Sequence, residues 1–149
     1  MSETVIAQQA ERLLRSGVAQ DTLVARQGRA APPLAIVAPG GAAAGWFVGI
    51  VVTDQLAGFL QFTVAGQLLR YSSFQRRPGS LAGCPMTAEW LDPTTIKQYA
   101  QAQAQPGEAL GEPVLTYDQA PTRLVWAVPT TLPDGQAGTI YVAGSYVYR

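Results

Sequence analysis

Histidine is absent from this 149-residue chain, and cysteine occurs once, as Cys84. Imidazole is the commonest general base and the commonest metal ligand. Its absence removes serine and cysteine triads and Cys/His zinc sites together. A single cysteine forms no internal disulfide and leaves the redox compartment open. Charge is scarce too: ten basic and ten acidic residues make 13% of the chain, against about 25% in an ordinary soluble domain. No basic stripe offers a footprint for a phosphate backbone, which argues against a nucleic-acid partner. Residues 30–53 carry no charge and have the length of a bilayer-spanning segment. Pro32, Pro33 and Pro39-Gly40-Gly41 interrupt them, however, and Trp46, Val48, Ile50 and Val52 alternate as strand residues do, so no transmembrane helix is expected. Met1-Ser2-Glu3-Thr4 has neither a basic n-region nor an apolar h-region, so no secretory signal is expected. The chain then reads as cytoplasmic if Met1 is the native start and extracytoplasmic if it has been trimmed.

Apolar residues make up 48% of the chain, enough for a core and outside the disorder regime of low hydrophobicity with high net charge. The length suits one domain or two small ones. The arrangement speaks for two. Trp46, Asp54 and Gly58 recur as Trp126, Asp134 and Gly138, 80 positions later. Val64-Ala65-Gly66 recurs as Val142-Ala143-Gly144 at a shift of 78, which is one two-residue deletion in a turn. Self-similarity at a fixed offset decides architecture ahead of any local reading.

Ser2 and Glu3 open a first helix, with Ile6, Ala10, Leu13 and Leu14 on one face and Gly17 just past its end. Leu23-Val24-Ala25-Arg26 and Leu34-Ala35-Ile36-Val37 read as β-like runs separated by Pro32-Pro33. Residues 39–45 read as a hairpin loop. Strands follow at 46–53, 58–65 and 67–74; Leu60, Phe62 and Val64 form a buried face, and Gln61 and Thr63 a wet one. Residues 76–86, rich in breakers, read as a linker between a first module at 1–75 and a second at 87–149. There Asp92 caps a helix with Pro93 at its first position, and Gly107 is expected to stop it, with Ala100 to Gln105 as its solvated tail. Strands at 114–117, 124–128, 139–143 and 146–148 follow, with the hairpin turn Leu132-Pro133-Asp134-Gly135. The fold class is therefore α+β: two tandem modules, each a helix on an antiparallel sheet, with pseudo-symmetry between them.

The runs Leu124-Val125-Trp126-Ala127-Val128 and Ile140-Tyr141-Val142-Ala143-Gly144, behind a helix at 92–105, resemble the PepSY family. The first half resembles it more loosely, through Gly45-Trp46-Phe47-Val48 and Phe62-Thr63-Val64-Ala65-Gly66. The resemblance implies a cystatin-like sheet wrapped around a helix. It also implies a non-catalytic protein-binding role, inhibitory or chaperone-like toward a protein partner.

Each candidate site has a plainer reading. Asp54 and Asp134 are turn residues whose carboxylates bond the following amides. The glycine-rich 39–45 loop lacks the Lys-Ser/Thr of a phosphate cradle. Gly79-Ser80-Leu81-Ala82-Gly83 misses the nucleophile-elbow spelling. Cys84, with Arg76 and Arg77 nearby, would be activated only if its pKa fell. Partner contact, if made, falls to Trp90, Arg76, Arg77, Tyr146 and Tyr148, residue types that anchor interfaces. For Trp90 the seam between the two modules is the alternative; for Tyr146 and Tyr148 it is cross-strand pairing. No catalytic residue, metal or cofactor is expected. Two alternatives stand beside the binding module. One is a small carboxylate and tyrosine enzyme with a pocket on the sheet face; the other is an assembly protein dimerising through a sheet edge.

Overall fold

Ser2 starts the first helix: its hydroxyl accepts a hydrogen bond from the Val5 amide at 3.3 Å, satisfying one of the donors a helix start leaves open. Helix α1 (Glu3–Arg15) buries Ile6, Ala10 and Leu14, with Leu13 half-buried beside them. Gly17 follows at φ +87, as expected of a residue that ends a helix. The computed structural model describes residues 1–149. The chain is a mixed α/β protein with four helices and two five-stranded antiparallel sheets. It divides into two compact units, the first of Met1–Ile36 with Ala43–Thr87 and the second of Val37–Ala42 with Ala88–Arg149. No helix is long and apolar enough to cross a membrane.

In the first unit, the run Leu23-Val24-Ala25-Arg26 is not a strand. It lies inside α2 (Thr22–Gln27). The Asp21 carboxylate accepts from the Val24 amide at 3.1 Å, and this cap outweighs the β-preference of a single valine. The strands are β1 (Arg29–Ala30), β2 (Leu34–Val37), β3 (Ala43–Val52), β4 (Gln55–Phe62) and β5 (Leu68–Ser73), in the order β1-β3-β4-β5 with β2 also on β3. Ile6, Ala10, Leu14 and Val24 of the helices join Val48, Ile50, Val52, Leu60 and Phe62 in one buried cluster. The other face is not wet as the alternation predicts. Phe47 and Phe59 stack there at 4.7 Å, and Gln61 is only 2% exposed. Its carbonyl oxygen accepts from Arg70 Nε at 2.9 Å, and the Arg70 guanidinium lies 5.0 Å over the Phe59 ring. A buried amide is tolerable because it has this partner.

Residues 76–86 fold onto the first unit. Gln55 Nε2 donates to the carbonyls of Leu81 and Cys84, and the Leu56 amide donates to Pro85 O. The Gly79 amide donates to Asp21 Oδ2 at 2.7 Å. That bond is the chief reason the Asp21 carboxyl sits below its ordinary pKa.

The helices of the second unit are α3 (Thr87–Leu91), all but its first residue, and α4 (Pro93–Gln101). Asp92 caps α4 as expected, accepting from the Thr94 amide at 3.2 Å. The helix ends at Gln101, short of the expected stop at Gly107, and residues 102–107 form turns. Pro106 disfavours helical backbone at Gln105, so the helix cannot run on to Gly107. The strands are β6 (Ala109–Leu110), β7 (Val114–Tyr117), β8 (Leu124–Thr131), β9 (Ala137–Ala143) and β10 (Tyr146–Tyr148), in the order β10-β9-β8-β6 with β7 also on β8. Helix α4 buries Ile96 and Ala100 and packs on β8 and β9. Trp90 of α3 is buried in this unit, its carbonyl accepting from Trp126 Nε1 at 2.9 Å.

The pairings of the two sheets follow one numbering rule. Arg29 faces Val51 and Ala30 faces Ile50 in the first sheet; Ala109 faces Thr131 and Leu110 faces Thr130 in the second. Trp46 faces Phe62, Val48 faces Leu60 and Ile50 faces Gly58. Trp126 faces Val142, Val128 faces Ile140 and Thr130 faces Gly138. In each of these pairs the second-sheet residue is its first-sheet counterpart plus 80. The rule breaks at the bulge after Ile50, where Val51 faces Leu56 while Thr131 faces Ala137, and again past the hairpin, where the turn at 63–67 shrinks to Gly144-Ser145. The recurring glycines sit at crowded places. A Cβ on Gly58 would lie 2.5 Å from Ser72 O, and one on Gly138 would lie 2.9 Å from Thr130 Oγ1.

Beside Gly138, the buried Glu108 carboxylate takes a two-point hydrogen bond from Arg149, at 2.8 and 2.7 Å. The Arg149 hydrogen bond, aided by that of the Gln105 amide, holds the Glu108 carboxyl at about 2 against an ordinary 4.5. A carboxyl whose pKa is lower in the folded state stabilises the fold above its unfolded pKa. This contribution is therefore whole above pH 4.5 and disappears as the pH falls toward 2. Glu108→Gln should flatten the loss of stability between pH 4.5 and 2, measured by urea titration; a curve as steep as the parent's would refute the assignment.

Candidate functional site

Along β7, β8 and β9 the side chains alternate between two faces. Leu115, Val128, Ile140 and Val142 are buried, on the side where α4 packs. The alternate residues Val114, Thr116, Ala127, Pro129, Thr139 and Tyr141 line a cleft of about 600 Å³ on the opposite face. Val37, the last residue of β2, and Ala38, Pro39 and Gly41 of the turn after it, all within this unit, line it as well, as do Tyr117, Asp118 and Gln119. The walls are mostly apolar. A proline in an inner strand is unusual because it gives no ladder hydrogen bond. Pro129 lies between the β8 residues paired to β7, which end at Ala127, and those paired to β6, which begin at Thr130. Its missing N–H falls in that gap, while its carbonyl accepts from the Gly111 amide at 2.7 Å.

The polar groups gather at one end. Thr116 is 6% exposed, and its hydroxyl has no hydrogen-bond partner in the protein. Asp118 is the only charged residue lining the cleft. Its Oδ2 accepts from the Tyr148 hydroxyl at 2.6 Å. Tyr148 stacks on Tyr141 at 5.1 Å, and Tyr146 lies 5.4 Å from Tyr148. Burial, then the bond to Asp118, pushes the Tyr148 hydroxyl up to about 12, so it remains a donor through the whole neutral range. Next to this group Gln119 takes φ +69, a left-handed conformation that costs a non-glycine residue about 1 kcal/mol.

Of the residues singled out for partner contact, the structure gathers Tyr146 and Tyr148 at this aromatic end. Tyr146 is 65% exposed. Trp90 is buried under the Gly144 turn of its own unit, where a Cβ on Gly144 would lie 3.2 Å from its Nε1; it presents no ring to a partner. Arg76 and Arg77 are exposed in the first unit, with the Arg76 side chain lying across Gly83. Cys84 is buried, and burial raises its pKa against the opposing pull of Arg76, so the thiol is not an activated one. Asp134 Oδ1 accepts from the Gln136 amide at 2.9 Å, the turn role expected of it. The loop after Val37 is a hairpin turn closed by the Ala38 amide on Ala42 O. No three His, Cys, Asp or Glu side chains gather as metal ligands would.

Thr116, Asp118, Tyr141 and Pro129 were not singled out from the sequence. The one signal they leave there is Pro129 just past a run of strand residues. No family model, no curated protein and no solved structure matches this chain.

Proposed function

We propose that the chain is one helix-on-sheet module used twice, PepSY-like and cystatin-like in plan, and that it works as a non-catalytic protein-binding module. The offset of 80 shared by β1, β3, β4 and their counterparts supports the duplication, because strand register is set independently in each sheet by its own side chains and turns. Two sheets with unrelated origins would have no reason to agree from Trp46–Phe62 through Ile50–Gly58 and again at both β1 pairs. The helices on one face of each sheet support the cystatin-like plan.

The open cleft on the second sheet is the observation that carries the binding role. It has the volume of a ligand site, mostly apolar walls and a few convergent polar groups. The carboxylate and tyrosine enzyme has one observation in its favour, the Asp118–Tyr148 contact. That contact commits the carboxylate to a phenol whose pKa is about 12, too high to serve as a base or nucleophile near neutrality. The pair is an orienting contact.

Filling the cleft tests the role. The parent chain, immobilised, should capture a protein from a lysate of its source. Ala127→Trp, which places a ring on the cleft floor, should lose that protein while its thermal unfolding stays unchanged. Capture of the same protein by both would place binding elsewhere, and capture of nothing by the parent would contradict the role.

A further inference from the structure

Resting on that reading, we propose that the cleft of the second unit accepts an extended peptide segment of the partner through an arginine or lysine side chain that ends on Asp118. Charge complementarity points to this occupant. Asp118 is the one charged group lining the cleft. Tyr148 engages its Oδ2 alone, which leaves Oδ1 open. Arg123 accepts from the Asp118 amide through its carbonyl, but makes no ion pair with the carboxylate. The carboxylate is therefore held in place without an ion-pair partner.

The surroundings fit a cation better than a neutral donor. Tyr141 lines the cleft with Tyr148 stacked behind it, and aromatic faces attract guanidinium and ammonium groups through their quadrupole. Charge-assisted bonds to a fixed carboxylate are stronger than neutral ones, and arginine adds a second parallel donor. Val114, Ala127 and Pro129 offer apolar surface to the methylene stem, the arrangement long basic side chains use when only the head is polar. The Thr116 hydroxyl, 6% exposed and without a partner in the protein, supplies a donor or acceptor for the peptide backbone. A buried hydroxyl left unpaired is unfavourable, so a ligand group that meets it gains what the free protein lacks.

The test uses three capped pentapeptides of sequence Ala-Pro-X-Val-Ala, with X as Arg, Lys or Gln, titrated into the full chain and followed by amide chemical shifts. The Arg and Lys peptides should move the resonances of Thr116, Asp118 and Tyr141 and saturate. Binding should weaken on raising the salt from 50 to 500 mM. The Gln peptide should bind at least tenfold more weakly. Asp118→Asn, which keeps an acceptor for Tyr148, should lose the preference for Arg over Gln, and Tyr141→Leu should weaken the Arg and Lys peptides but not the Gln peptide. A Gln peptide that binds the cleft as tightly as the Arg peptide would overturn the cation assignment and leave the binding role standing. Saturating shifts confined to residues outside the cleft would overturn the assignment too. No shifts from any peptide at millimolar concentration would overturn both.

Discussion

Gly45→Ala should lower the unfolding free energy by about 3–5 kcal/mol, the sum of backbone strain and overpacking. Gly45 has φ +131, where an L side chain is strained whatever the space around it. Its Cβ would also collide with the carbonyl oxygen of Phe62. That oxygen belongs to the backbone of the neighbouring strand and cannot swing away as a side chain would. The position opens the central stretch of β3, just before Trp46, so a shift there spreads into the Trp46–Phe62 pair and the core beneath it. Gly40→Ala is the control. No atom lies within 4 Å of where its Cβ would be, and the cost should stay within about 0.5 kcal/mol, as for an ordinary surface change. Urea titration of both variants separates the explanations, since equal losses would mean that glycine flexibility, not the close approach, is what matters.

Trp126→Ala should cost about 3–5 kcal/mol, as large aromatic truncations in a core do. Trp126 is 5% exposed in the second unit, and its indole N–H reaches the Trp90 carbonyl at 2.9 Å. Trp126→Phe keeps most of the ring and removes the donor, so about 1–3 kcal/mol is expected from the buried carbonyl left behind. The ordering Ala, then Phe, then parent in urea midpoint checks the account. A phenylalanine variant as stable as the parent would show that the indole bond contributes nothing.

The legible parts of the fold were those fixed by neighbours in sequence. Ser2 and Asp92-Pro93 announce helix starts because capping is a contact over two or three residues. The echo of Trp46, Asp54 and Gly58 in Trp126, Asp134 and Gly138 was legible because turns and crowded hairpin positions admit few residue types. Val24 misled because a β-branched residue in a short run looks like strand, while the deciding group, Asp21, stands outside the run. Strands β1 and β6, of two residues each, are too short to show any period.

The cleft was illegible for a different reason. Thr116, Pro129 and Tyr141 come from three strands, and alternation assigns each only to an unspecified second face. Nothing local says that those faces meet or that Asp118 ends beside them. Gln61 failed in the same manner: its polarity read as exposure, and Arg70, the residue that makes its burial tolerable, pairs with it across the neighbouring strand.

Backbone NMR of the full chain tests most directly whether one unit was used twice. Cross-strand proton contacts should join Ile50 to Gly58 and Thr130 to Gly138, and Trp46 to Phe62 as Trp126 to Val142. A second sheet slipped by even one residue, with Thr130 opposite Ala137 or Thr139, would turn its side chains to the other face and contradict the duplication.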